Sequence, residues 1–235
     1  MKAPQKSPPR FVLSPIFLLL IVLAFTGCAE LSWMNPVLVL REWPEDDRYI
    51  VPFHQRVEEI RRIGYGAEQY SPEEQLSVAT QLTDLIRESK NPLLRATATR
   101  SLGRFPSSLA STGIGLAMVD EDWAVRVSAT EACRWQADEA AQQRLVAMLK
   151  DESVDVQIAA IRELSNFPGG TTITALGEFL DHTDPAVQIR AIDSLRTVSG
   201  RDYGNNFALW RSFVRGENPA TPPKGSIVSR ARSFF

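Results

Sequence analysis

A repeat with a period of 31 residues runs through the second half of this 235-residue chain, and few folds can accommodate it. Four copies open at Asn91, Asp122, Ser153 and Asp184, all residues whose side chains can accept from the free amides of a helix start. Pro92 and Pro185 follow at the first helical position, where proline is pre-set for the helix. Leu94, Val125, Val156 and Val187 form an apolar column. Ala98, Ala129, Ala160 and Ala191 form a small one, and Leu102, Cys133, Leu164 and Leu195 a second apolar one. Offsets of four and eight place all three columns on one helical face, and the alanines admit a close neighbour. Each copy then breaks, at Pro106 or at Pro168-Gly169-Gly170 for instance, and enters a second amphipathic helix. Those helices carry Ile114 and Met118, then Leu145, Met148 and Leu149, then Leu176, Phe179 and Leu180. In the fourth copy the register returns only at a shift of 34, mapping Leu176 onto Trp210. Its loop over 200–206 therefore holds a three-residue insertion.

Upstream, Ser71 and Glu74 form a capping-box pattern that predicts a helix over Pro72 to Glu88. A helix over Phe53 to Ile63 completes a degenerate leading repeat. About five helical hairpins result. None can bury its apolar face alone, so the expected fold is an all-α solenoid over residues 53–215 with one continuous core. The string Asp122, Val125, Arg126, Ala129 and its three relatives resemble the HEAT-like repeat family, in its short-period phycobilisome-lyase HEAT-like variety. Gln157 and Gln188 depart from it, standing where the family favours arginine. The resemblance implies stacked helix pairs, and a family whose members include scaffolds, adaptors and some chromophore lyases.

The N-terminus reads as an address. Lys2, Lys6 and Arg10 precede an apolar run from Phe11 to Phe25, and Thr26-Gly27-Cys28 follows. The run is about 15 residues, short of the roughly 20 a spanning helix needs. This stretch resembles a bacterial lipoprotein signal, which implies lipidation of Cys28, with residues 1–27 removed; Phe25 departs from the usual leucine. An uncleaved hydrophobic anchor is the alternative. Ala29 lacks the aspartate associated with inner-membrane retention, which favours the outer membrane. The expected product is exported, anchored to the membrane through its lipid and periplasm-facing. Its charge shifts too: with Lys2, Lys6 and Arg10 gone from 26 basic residues, 23 remain against 28 acidic ones. Such a surface disfavours nucleic acid as a partner. Residues 28–52 are then a linker whose Trp33, Trp43 and Tyr49 can rest at a membrane interface or cover the first hairpin. Residues 216–235, with Pro219, Pro222 and Pro223, read as a mobile tail.

Chemistry-bearing residues are few. Two cysteines exclude a disulfide framework or a thiolate zinc site. Cys133 falls in a leucine column and reads as core. His182 aligns with the turn residues Asp120 and Asp151, and His54 has only Glu58 near it. The runs Glu45-Asp46-Asp47 and Asp120-Glu121-Asp122 read as loop and capping carboxylates, and the pairs at Tyr65-Gly66 and Tyr203-Gly204 as turns. No phosphate loop, nucleophile motif or metal spacing is present, so catalytic, cofactor and metal sites are all expected to be absent. Binding leads come from residues that break their column. Trp135 aligns with Arg104, Asn166 and Thr197, as a contact anchor or as packing at a hairpin bend. In the loop over 200–206, Arg201, Asp202 and Tyr203 offer charge and a ring, as a binding loop or as a terminal cap. The expected function is a non-catalytic, lipid-anchored scaffold of the cell envelope that binds a protein partner on stacked second helices, with no small-molecule substrate. A chromophore-lyase-type or enzyme-accessory protein is the alternative.

Overall fold

Helices are the only regular secondary structure in the computed structural model, which describes residues 52–221. Cys28, the stretch expected to be an export signal, the aromatic linker and the end of the proline-bearing tail all lie outside the described residues. The ten α-helices are α1 (Phe53–Tyr65), α2 (Pro72–Glu88), α3 (Pro92–Leu102), α4 (Ser107–Met118), α5 (Trp123–Gln136), α6 (Glu139–Met148), α7 (Val154–Leu164), α8 (Gly170–Gly177), α9 (Pro185–Ser199) and α10 (Phe207–Val214). Short 3₁₀ turns at Ala67–Gln69 and Glu178–Asp181 follow α1 and α8. None of these helices is long and apolar enough to cross a membrane.

Capping chemistry sets the starts. The side chains of Asn91, Asp122 and Asp184 accept from the amides of Leu93, Ala124 and Ala186 at 2.9, 2.8 and 2.8 Å. Ser71 and Glu74 close the expected capping box on α2. Ser153 departs from the pattern, since its side chain makes no cap bond to α7.

The odd-numbered helices α1, α3, α5, α7 and α9 pack on one another in an unbroken row, and the even-numbered helices form a second layer behind them. The three columns meet between the layers: Leu94, Val125, Val156, Val187, Ala98, Ala129, Ala160, Ala191, Leu102, Cys133, Leu164 and Leu195 are all buried. Small residues govern how close the row sits. A Cβ on Gly103 would lie 2.6 Å from Ala132 Cα, so only glycine lets the end of α3 approach α5 this closely. Buried hydroxyls tie the same layer together, with Ser101 donating to the Ile60 carbonyl at 2.7 Å and Ser194 to that of Ile161 at 2.9 Å.

The turns between hairpins carry an ion-pair ladder. Arg95 donates to both oxygens of Asp120 (2.8 and 2.7 Å) and to the Ser89 carbonyl (2.9 Å). One repeat on, Arg126 does the same to Asp151 (2.8 and 3.0 Å) and to the Asp120 carbonyl. Both arginines are buried, and their guanidinium pKa is raised above its ordinary value, chiefly by the hydrogen bond to the aspartate. The next residue in the column is Gln157, and the turn it would reach holds His182 instead of aspartate. Gln157 and Gln188 keep the bond back to a carbonyl, that of Asp151 at 2.8 Å and of His182 at 2.6 Å. The departure from arginine thus follows the loss of its carboxylate partner. His182 retains the local half of the aspartate's work, its Nδ1 accepting from the Asp184 amide at 3.0 Å.

Candidate functional site: an arginine trough on the odd-numbered helices

An open trough of about 410 Å³ crosses the ends of α1, α3, α5 and α7. It lies on the row of first helices, whereas the sequence pattern had placed partner binding on the second helices. Arg61, Arg100, Arg104, Arg134 and Arg162 line it, against only two carboxylates, Glu131 and Glu163.

The period of 31 builds its floor. Arg100, Glu131 and Arg162 occupy one column on successive helices and form a chain of ion pairs, with Arg100 at 2.5 Å and Arg162 at 3.6 Å from Glu131. Arg162 also holds the buried Glu163 at 2.7 Å, and Arg134 approaches that carboxylate at 3.8 Å. Arg61 pairs with Glu58 on its own helix at 2.5 Å.

Arg104 differs from the other four. Its guanidinium lies 4.0 Å from the centre of the Trp135 ring and 4.4 Å from that of Tyr65, so ring faces on α5 and α1 flank it. Among the described residues no carboxylate reaches its N–H groups. Two local devices position it. Gly103 allows α3 to end against α5, and Gln136 donates to the carbonyls of Gly103 and Phe105 at 2.6 and 2.8 Å, fixing the α5 terminus beside the turn. Arg134 stacks on the same indole at 4.7 Å.

Of the residues singled out in the sequence, Trp135 lies in this trough with 46% of its surface exposed. Arg201, Asp202 and Tyr203 do not; their loop closes the far end of the solenoid. Tyr203 is only 1% exposed, which corrects the expectation that its ring is available for contact. It packs edge-on against Trp210 at 4.9 Å and beside Phe213 at 5.9 Å. Asp202 accepts from Arg196 at 3.1 Å and from the Gly204 amide at 2.9 Å, and Arg201 is exposed. Arg104 and Tyr65 were missed. Tyr65 had read as turn chemistry, while Arg104 aligns with Trp135 one period earlier and so lies beside it across the stack. Cys133 is buried, and burial pushes its thiol up to about 12, so it offers no thiolate near neutral pH. Among the described residues no group of three His, Cys, Asp or Glu side chains is placed to hold a metal ion.

Comparison with known proteins agrees with this architecture. The HEAT repeats family model matches residues 79–156 and 143–204, together more than half of the chain. No curated protein matches. Among solved structures, the complex of CpcE and CpcF of phycocyanin lyase from Nostoc sp. PCC7120 is similar at 18% identity and a TM-score of 0.53, over 72% of this chain and 66% of that one. An engineered protein is similar at 19% identity and a TM-score of 0.45, over 78% of this chain and 86% of that one. The likeness to the lyase complex is one of fold, and it overturns the expectation of a non-catalytic chain: stacked hairpins of this kind occur in an enzyme, so the fold gives no ground for excluding enzyme-type work. With its repeat model spanning most of the described helices, the chain belongs to the HEAT-repeat family.

Proposed function

We propose that this protein is a HEAT-repeat binding module of the chromophore-lyase or enzyme-accessory kind, which holds a partner polypeptide on the trough across α1, α3, α5 and α7. The observation that carries this reading is the trough itself. Five guanidiniums and two aromatic rings gather on one open face, and interaction anchors are enriched in tryptophan, tyrosine and arginine. A row of nearly rigid repeats suits such work, because it keeps side chains from four hairpins in fixed register before the partner arrives. The likeness to a lyase complex supports the enzyme-accessory form of the reading, in which the module orients a partner for chemistry.

The test is site-specific photo-crosslinking in intact cells, with the crosslinking side chain at Trp135 or, as a control, at exposed Gln143 on α6. One defined protein captured from Trp135 and absent from Gln143 is the expected result. Equal capture from both positions would remove the trough from the reading. If the captured protein carries a chromophore or other prosthetic group whose attachment falls when this chain is deleted, the lyase-type form stands; unchanged attachment leaves plain partner binding.

The reading also places the module outside the cytoplasm, tethered through Cys28 by its lipid, and each buried CH₂ of the acyl chains would contribute about 0.8 kcal/mol. Labelled fatty acid should mark the wild-type protein and not Cys28→Ala. Equal labelling of the two would end the proposal of a lipid anchor.

A further inference from the structure

We infer that Arg104, held between Tyr65 and Trp135, is a carboxylate-reading position, and that the trough takes an extended acidic peptide segment of the partner. This deepens the binding reading above and rests on it.

The other four guanidiniums of the trough have carboxylates within 4 Å: Glu58 for Arg61, Glu131 for Arg100, and Glu163 for Arg134 and Arg162. Arg104 has ring faces instead, at 4.0 and 4.4 Å. A guanidinium stacked on rings keeps its planar edge of N–H donors directed sideways, and that edge matches the two oxygens of a carboxylate. The rings restrict the side chain before binding, which lowers the entropy lost when a carboxylate docks. Charge points the same way, since the trough holds five cations against two anions in a chain whose formal net charge is -2.

Shape selects a peptide over a small acid. The trough is open and crosses four successive helices. Packed helices are about 8–10 Å apart, close to one turn of an extended polyproline II chain, three residues at about 3.1 Å each, which returns every third side chain to the same face. A peptide with an acidic side chain at every third position would therefore present one carboxylate to Arg104 and the others along the Arg100–Arg134–Arg162 flank.

Fluorescence polarisation with the full-length protein tests this. The probe is a fluorescein-labelled peptide of four Glu-Ser-Leu repeats, and the control has four Gln-Ser-Leu repeats. The acidic peptide should bind at least about tenfold more tightly than the neutral one, the size of one lost charge-assisted hydrogen-bond pair. Arg104→Ala should weaken it by about tenfold or more. Arg104→Lys should fall between, keeping the charge without the planar fork, and its unchanged melting temperature would separate recognition from folding. Trp135→Ala should weaken binding by releasing the guanidinium. Equal affinity for both peptides, no binding of either, or an unchanged affinity in Arg104→Ala would each overturn the inference. Succinate displacing the acidic peptide at equal molar concentration would overturn it as well, pointing to a small-acid site. The two proposals fail separately. Capture from Trp135 in cells without preference for the acidic peptide removes only the carboxylate reading, whereas loss of both removes the binding module.

Discussion

A single thiol illustrates how far one side chain's environment reaches. Cys133, on α5, takes a leucine's place in the core, and its burial raises the thiol from about 9 to about 12. The unfolded chain ionises this group near its ordinary value while the folded one still holds the proton. Stability contributed by the site is therefore complete below about pH 9 and is lost as pH rises from there towards 12. Three units correspond to at most about 4 kcal/mol. Denaturant midpoints measured against pH should fall more steeply for the wild type than for Cys133→Val over that window, and the two curves should run parallel below it. Parallel curves throughout would show that the thiol is not held neutral. At this scale the candidate site was partly legible. Trp135 stood out because it breaks a polar column, and Arg104 shared that column, but columns record what aligns and not which side chains touch. Tyr65 lies in a leading repeat of different length, so no shift of 31 brings it to Arg104. Tyr203 was misplaced for a related reason: an aromatic ring in a charged loop has the same composition whether it faces solvent or closes the core.

Between elements, the rungs that join one hairpin to the next are set by pairs of residues 25 apart. Arg95 reaches Asp120, Arg126 reaches Asp151, and Gln157 faces the turn of His182, where no carboxylate waits. Breaking a buried pair leaves an uncompensated charge, which costs about 3–5 kcal/mol. Asp151→Asn should accordingly lower stability by an amount of that order, and by more than Arg126→Gln, which keeps a donor and leaves Asp151 accepting from the Ser153 amide at 2.8 Å; urea melts of both variants decide it. The converse construction is more discriminating. Gln157→Arg alone should destabilise the α7–α9 junction, and adding His182→Asp should recover the loss, giving a favourable coupling in a double-mutant cycle. No coupling would show that the ladder does not propagate. The helix pairs themselves were legible from sequence, because a 31-residue period with N-cap, alanine and apolar columns specifies both helices of each hairpin. The layer that would present the trough was not. Which row faces a partner depends on the row's exposed ends, where charge alternates along a column such as Arg100, Glu131 and Arg162, and single-position polarity carries no direction.

At the scale of the whole chain, a stack of repeats is stable only as far as its ends are closed, since each hairpin touches chiefly its neighbours. Here the last hairpin is closed by an aromatic cluster: Trp210 is fully buried, its indole N–H donates to the Gly204 carbonyl at 2.9 Å, and Tyr203 and Phe213 pack around it. The inserted loop over 200–206 supplies two of these partners, and Gly200 and Gly204 adopt the left-handed angles (φ 66° and 57°) that turn the chain back onto α8 and the 3₁₀ turn after it. Truncating a buried tryptophan costs about 3–5 kcal/mol. Trp210→Ala should therefore open the end of the solenoid without melting its middle. Hydrogen exchange should show protection lost in α10 and in Gly177 to Asp181, while α3, α5 and α7 keep theirs. Limited proteolysis should cut within 200–206, and the trough, whose Arg104 and Trp135 lie three and two hairpins away, should bind the acidic peptide as before. Uniform loss of protection along the chain would mean that the repeats fold as one unit, with the aromatic cluster supporting the trough itself.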